Sequence, residues 1–232
     1  MKPILFNTQM VQAILDGRKT QTRRIVKTGS FTPLEIGRSK FYTFRDELNG
    51  KPGAWAGFYC NRDVFIGRDG KQHIDAVYAK LPYQPGDILW VRETWTKLYW
   101  VDMEGYTHYD QPMYYYAADG TPDIILRDED GFEEEDQRIR WHPSIHMPKE
   151  AARLFLRVTD VRVERLWDIS SEDVYAEGTD NRLWAATRDA FRRVWDSTIK
   201  KADLDRFGWA ANPWVWVYTF KRCGKEGESW NG

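Results

Sequence analysis

Eight residues, Gly17-Arg18-Lys19-Thr20-Gln21-Thr22-Arg23-Arg24, concentrate groups that can do chemistry. A lysine ammonium stripped of its hydration by burial has a lowered pKa and becomes a base near neutral pH. Threonine is a weak nucleophile until a neighbouring base takes its proton, and Lys19 stands close to Thr22 in the chain. Arg18, Arg23 and Arg24 carry forked donors suited to phosphate. Each residue also has a plain structural reading. Lys19 fits a solvated turn, Thr22 an ordinary strand position, and the arginines surface ion pairs with nearby acids.

Other candidates lie further along. Arg92 and Glu93 follow the turn Pro85-Gly86-Asp87 on an apolar strand and can face the same site. Trp90 and Trp95 are candidates for stacking a base, although strand alternation turns part of this set toward the core. Trp214 and Trp216 share one face of the last strand and read as core. His142 and His146 have a helical metal-binding spacing, but Pro143 lies between them and Pro148 follows, so no helix carries them. No metal and no cofactor is expected. Twelve Trp, twelve Tyr and eleven Phe read first as core and surface filling, and second as a stacking platform.

The elements that must position these groups follow from local pattern. Ile4-Leu5-Phe6 is a short strand. Asn7 or Thr8 caps a helix over about 9–16, whose Met10, Val11, Ile14 and Leu15 share one face. Gly17 ends it in the left-handed conformation. Residues 20–26 form a strand. Residues 28–82 read as irregular β-structure or an insertion, and 88–95 as a strand. Residues 96–148 form a long excursion with a strand at Tyr114-Tyr115-Tyr116 and a solvated acidic loop over 128–136. A strand over 154–166, kinked near Asp160, precedes a helix capped by Ser170 with Asp173 and ended by Gly178. A second helix runs over about 182–199. Asn212-Pro213 opens the closing strand, 214–221.

The totals exclude several classes. A chain of 232 residues with 42% hydrophobic side chains can bury a core. A net charge of −1 is not that of a protein that coats long duplexes, so any nucleic-acid contact is local. Cys60 and Cys223 have no ligand spacing and form no disulfide scaffold. Residues 1–12 lack a signal-peptide layout, and no apolar run is long enough for a membrane helix. A cytoplasmic protein is expected, with no membrane partner.

The order of these features resembles the ASCH family, a branch of the PUA-like β-barrels. The resemblance rests on the helix ending in Gly-Arg-Lys-Thr, Thr-x-Arg on the next strand, and the Pro-Gly-Asp turn. It continues in Ala176-Glu177-Gly178 and the closing strand Trp214-Val215-Trp216-Val217-Tyr218-Thr219-Phe220. The segment Trp141-x-Pro143-Ser144-Ile145-His146-Met147-Pro148 is similar to the longer members of phage and prophage genomes. The matching segments are roughly 4–27, 85–95, 141–178 and 212–222. The resemblance implies an α+β fold: a PUA-like mixed, mostly antiparallel β-barrel with flanking helices and two insertions. It would be one domain over 1–223, with insertions at about 28–82 and 96–140 and a flexible tail at 224–232.

It also implies a cleft that takes RNA, a base or a modified nucleotide; the candidate ligand-binding residues, from the residue types and the resemblance together, are Arg18, Lys19, Thr22, Arg23, Arg24, Arg92, Glu93, Trp95 and Glu177. One branch of the family removes the acetyl group from 4-acetylcytidine, and its catalytic Lys, Thr and Glu fall on Lys19, Thr22 and Glu177. Glu177 would orient Lys19, hold a water or carry a proton to the departing amine. In the plain reading it only pairs with Lys19. Three functions are therefore open. The first is a nucleobase-binding module whose partner is nucleic acid, RNA foremost, or a modified nucleoside. The second is an amidohydrolase. The third is a phage accessory protein that binds a host protein through its aromatic insertions.

Overall fold

The computed structural model describes residues 1–27, 40–48, 51–66, 72–101, 106–124, 138–179 and 184–227. The acidic run 128–136, the expected helix start at 182–183 and the end of the tail lie outside the described residues. The chain is mixed α+β, with strands mostly in antiparallel sheets and few helices. Among the described residues the strand pairings close no barrel. The chain divides into two units. One holds 1–17, 88–157 and 222–232, the other 18–87 and 158–221.

In the first unit, β1 (Lys2–Leu5) leads into α1 (Thr8–Leu15). The Asn7 side chain accepts the Met10 N–H at 2.8 Å, which satisfies one of the orphan donors of the first turn. Val11, Ala13 and Ile14 are buried; of the expected face Met10, Val11, Ile14 and Leu15, the two end residues are only half-buried. Gly17 follows with φ +74°. A Cβ there would meet nothing within 4 Å, so only the backbone conformation resists substitution. Gly17→Ala is therefore expected to lower stability by about 1 kcal/mol, read from denaturant unfolding midpoints, with no loss of cooperativity.

β1 pairs in parallel with β6 (Ile88–Arg92), and β6 pairs antiparallel with the start of β9 (Phe155–Arg165). The strand expected over 88–95 is interrupted: β6 stops at Arg92, and Trp95 opens β7 (Trp95–Val101). The break coincides with a contact from a distant part of the chain. The Glu93 N–H turns to the Met147 sulfur at 3.2 Å, and β7 pairs antiparallel with β8 (Thr107–Tyr116), which contains Tyr114-Tyr115-Tyr116.

In the second unit, β2 (Gln21–Ile25) lies beside β10 (Trp214–Cys223), and β10 beside β9. The β2–β10 register is antiparallel, with Thr22 opposite Tyr218, Arg23 opposite Val217 and Arg24 opposite Trp216. A separate three-stranded antiparallel sheet joins β3 (Lys40–Leu48), β4 (Lys51–Ile66) and β5 (Gln72–Lys80). The described residues within 28–82 are thus more regular than their sequence suggests. Register shifts in both pairings, and Pro52 and Gly53 within β4, break the alternation by which strands are recognised.

Two helices cover one face of this unit: α2 (Ser171–Ala176) and α3 (Trp184–Ser197), followed by the single turn α4 (Leu204–Phe207). The Ser170 hydroxyl accepts the Asp173 N–H, the expected cap, and Gly178 takes φ +94° after α2. Leu166, Ile169, Val174, Phe191 and Trp195 pack against Val215 and Val217 to form the core of the unit. No helix among the described residues is long and apolar enough to cross a membrane.

Candidate functional site

Residues 18–24 of the Gly17–Arg24 stretch meet α2 within the second unit. The Thr20 N–H donates to Ala176 O at 2.8 Å and Thr20 O accepts from Phe220 N–H, which locks the turn between α2 and β10. Arg18 Nη1 donates to Gly178 O at 2.9 Å. These bonds bring Lys19 to Glu177, 158 positions away. Lys19 Nζ donates to Glu177 Oε2 at 2.7 Å and to Glu177 O at 2.8 Å. The Lys19 side chain is fully buried and Glu177 nearly so. Burial pulls the Lys19 ammonium below its usual 10.5, against the opposing pull of the Glu177 charge and hydrogen bond.

Arg23 completes the group and does not reach solvent. Its Nη1 donates to Glu177 Oε1 at 3.1 Å, its Nε to Glu164 Oε1 at 3.0 Å, and its Nη2 to Glu164 Oε1 and to Asp173 Oδ2 at 2.8 Å. Arg162 braces the outer carboxylates, with Nε on Glu164 Oε2 at 3.0 Å and Nη2 on Asp173 Oδ2 at 2.6 Å. Lys19, Arg23 and Arg162 thus interlock with Glu164, Asp173 and Glu177. Both Glu177 oxygens are engaged, which holds the carboxylate in one orientation. A guanidinium so committed is a clamp on Glu177 rather than a phosphate ligand.

Burial pushes the Asp173 carboxyl up, but Arg23 and Arg162 outweigh it and leave the pKa below the ordinary 3.8. A carboxylate lowered on folding adds stability above its unfolded pKa and loses it as pH falls through its folded pKa. Asp173→Asn is therefore expected to flatten the acid limb of stability against pH below 3.8. Chemical denaturation across that limb checks this.

Thr22 and Arg24 occupy the other face of β2 from Arg23. Thr22 is buried opposite Tyr218. Tyr83 meets the Tyr218 ring edge-on, with centroids 5.1 Å apart. The Tyr218 hydroxyl is buried without a hydrogen bond of ordinary geometry, although the Tyr83 main chain approaches it. Burial raises the pKa of both phenols. Arg24 is half-buried beside them. Burial lowers its pKa, opposed by the Glu177 charge and the two phenols. This face therefore combines a cation, a hydroxyl and two aromatic rings.

Arg92, Glu93 and Trp95 belong to the first unit and are engaged there. Arg92 donates to Met147 O at 3.1 Å and to Ile145 O, and lies over the Trp90 ring. Glu93 is buried and takes Arg153 by two bonds of 3.0 and 2.9 Å; burial raises its carboxyl pKa against that pairing. Trp95 is buried against Met147 and Ala151, with Tyr114 and His142 beside it. His142 exchanges two main-chain hydrogen bonds with Trp95, and the described residues hold no metal-binding group of three or more His, Cys, Asp or Glu.

The sequence pattern does not single out Glu164, Arg162, Tyr83 or Tyr218 as parts of the site, and it marks Asp173 only as a cap. One signal was present: Arg162 and Glu164 are opposite charges on one face of a strand. No family model, no curated protein and no solved structure matches the chain.

Proposed function

We propose that the second unit binds a nucleobase or nucleotide, with Arg24 and Thr22 as the recognising groups and the buried Lys19–Glu177 pair holding β2 in place for them. On this reading the chain is an ASCH-type protein with a PUA-like barrel fold, its ligand is RNA or a modified nucleoside, and it works in the cytoplasm. The observation that supports it is the buried Lys19–Glu177 pair, held at 2.7 Å between two residues that the ASCH pattern singles out. Burying an ammonium and a carboxylate costs several kcal/mol per ion before their attraction is counted. An ammonium whose pKa burial lowers, as at Lys19, is of the kind that concentrates at sites that use it. Arginine and threonine can donate to base carbonyls and phosphate.

Calorimetric titration with nucleosides, their monophosphates and short RNAs tests this. Saturable binding is expected, weakened about tenfold or more in Arg24→Gln and Thr22→Val that still unfold cooperatively. If none of these ligands binds, the reading fails.

A second reading, hydrolysis of 4-acetylcytidine to cytidine and acetate, draws on the lowered Lys19 pKa. A lysine acting as base would make turnover rise with pH as its ammonium loses the proton. The bonding pattern favours binding, because Lys19 is held by Glu177 while Thr22 is placed by its pairing with Tyr218. Chromatography of the products decides. No turnover by the wild type, or equal turnover by Lys19→Met, removes the amidohydrolase.

A further inference from the structure

The sheet of β3, β4 and β5 presents two rings and two cations on one face, in direct contact with each other. Its inner face is set by Ala56, Phe58 and Ala79, which are buried, and Phe58 meets Trp214 with centroids 5.4 Å apart. Alternation therefore places Arg45, Trp55 and Lys80 on the outer face. Arg45 pairs with Trp55 and Trp55 with Lys80, so the three form one row across the sheet. Tyr78 lies in the next outward row, paired with Gly57. Arg45 and Lys80 are exposed, while Trp55 and Tyr78 are half-buried.

Each cation rests on a ring. Lys80 Nζ lies 5.8 Å from the Trp55 centroid, and the Arg45 guanidinium carbon 5.3 Å from that of Tyr78. Arg45 reaches Tyr78 across β4, where Gly57 adds no side chain to the outer face. Gly53 lies against the Lys80 stem and the indole edge: a Cβ there would stand 3.4 Å from Lys80 Cε and 3.7 Å from Trp55 Nε1. The Trp55 Nε1–H is buried without a hydrogen bond, so the indole offers a ligand its face and not its donor. Among the described residues neither Arg45 nor Lys80 forms an ion pair. Asp46 and Glu47, the next acids on β3, do not pair with them, and the register shift after Arg45 leaves Glu47 opposite Pro52.

We propose that this face binds single-stranded nucleic acid, with Trp55 and Tyr78 stacking unpaired bases and Arg45 and Lys80 taking phosphates. Cation–π contacts at exposed sites are weak. Each cation can therefore leave its ring for a phosphate and uncover the face on which a base stacks. The two cations require an anionic partner, and the rings beside them favour one that carries planar groups. An acidic peptide would satisfy the cations and leave the rings unused. Stacking uses a face that every base has, so binding is expected to tolerate changes of sequence. The surface is separate from Arg24 and Thr22 on β2, and it rests on the nucleotide reading only for preferring RNA.

The test uses the whole chain and a fluorescent oligouridylate of about ten nucleotides, within the usual span of one module. Anisotropy at low salt is expected to show binding that Trp55→Leu weakens about tenfold or more and Trp55→Phe largely retains. The double variant Arg45→Gln, Lys80→Gln changes two exposed side chains. It is expected to lower the salt slope by roughly 0.7 for each phosphate no longer neutralised. A labelled oligoglutamate of the same length is expected to bind about tenfold more weakly or not at all, for want of stacking. No oligouridylate binding by the wild type, or unchanged binding in a folded Trp55→Leu, overturns the proposal. Equal binding of the oligoglutamate also overturns it, in favour of an acidic protein partner. Should Trp55→Leu not fold, an unchanged salt slope in the double variant overturns it instead. If the nucleotide reading alone is wrong, mononucleotides fail to bind while the oligomer still responds to Trp55.

Discussion

Glu177→Ala is expected to lower the unfolding free energy by about 3–5 kcal/mol, the usual cost of removing one partner from a buried ion pair. The size follows from what remains. Lys19 loses both side-chain charge and side-chain acceptor in a site with no access to solvent, and Arg23 loses the bond from its Nη1. A deleted carboxylate would also leave a void beside α2. The charge contribution can be separated from the void. Glu177→Gln keeps the volume and one acceptor oxygen, so it isolates the charge. The double variant Lys19→Met, Glu177→Leu removes both ions and refills the volume with apolar atoms. It is expected to recover most of the loss, because replacing a whole buried pair is often neutral or stabilising. Urea titrations of the wild type, Lys19→Met, Glu177→Leu and their double variant give the coupling. A Glu177→Ala loss below about 1 kcal/mol would place the pair in the class of exposed bridges and remove the argument from burial.

The sequence disclosed the parts of this structure that are decided locally. Asn7 and Ser170 cap helices because their side chains reach a nearby N–H, and Gly17 and Gly178 end helices because the turn needs positive φ. These choices involve neighbours in the chain and leave a mark on it. The sheet of β3, β4 and β5 does not announce itself, because its register shifts destroy the period of two. The broken strand at Glu93 is a tertiary effect: Met147, far along the chain, takes the N–H that the ladder would have used. The site divides in the same way. Lys19 and Thr22 stand out by type and spacing, and Glu177 by its place in the ASCH pattern. That Arg23 turns inward onto three carboxylates, while Arg24 lies on the phenol side, depends on which face of β2 receives α2. Alternation says only that the two arginines face opposite ways.

The inward arginine gives the second large effect. Arg23→Met is expected to destabilise by about 3–5 kcal/mol, since Glu164, Asp173 and Glu177 then lose their shared cation while remaining mostly buried. Lys19 and Arg162 still hold one partner or two each, so the chain is expected to fold, with a changed response to pH. In the wild type the lowered Asp173 pKa makes acid unfavourable: the unfolded chain takes up the proton first, and stability falls with pH. In Arg23→Met the crowded carboxylates favour a shared proton in the folded state, which then binds protons ahead of the unfolded chain. Stability in the variant should hold or rise as pH falls from about 6 to 4 and then level, whereas the wild type keeps the Asp173 contribution until pH nears 3.8 and loses it below. Surface arginines give no such change, because solvent screens the charges they leave behind. Unfolding free energies of both proteins across that range decide the matter, and parallel pH slopes would show that Arg23 does not bind the three carboxylates as one unit.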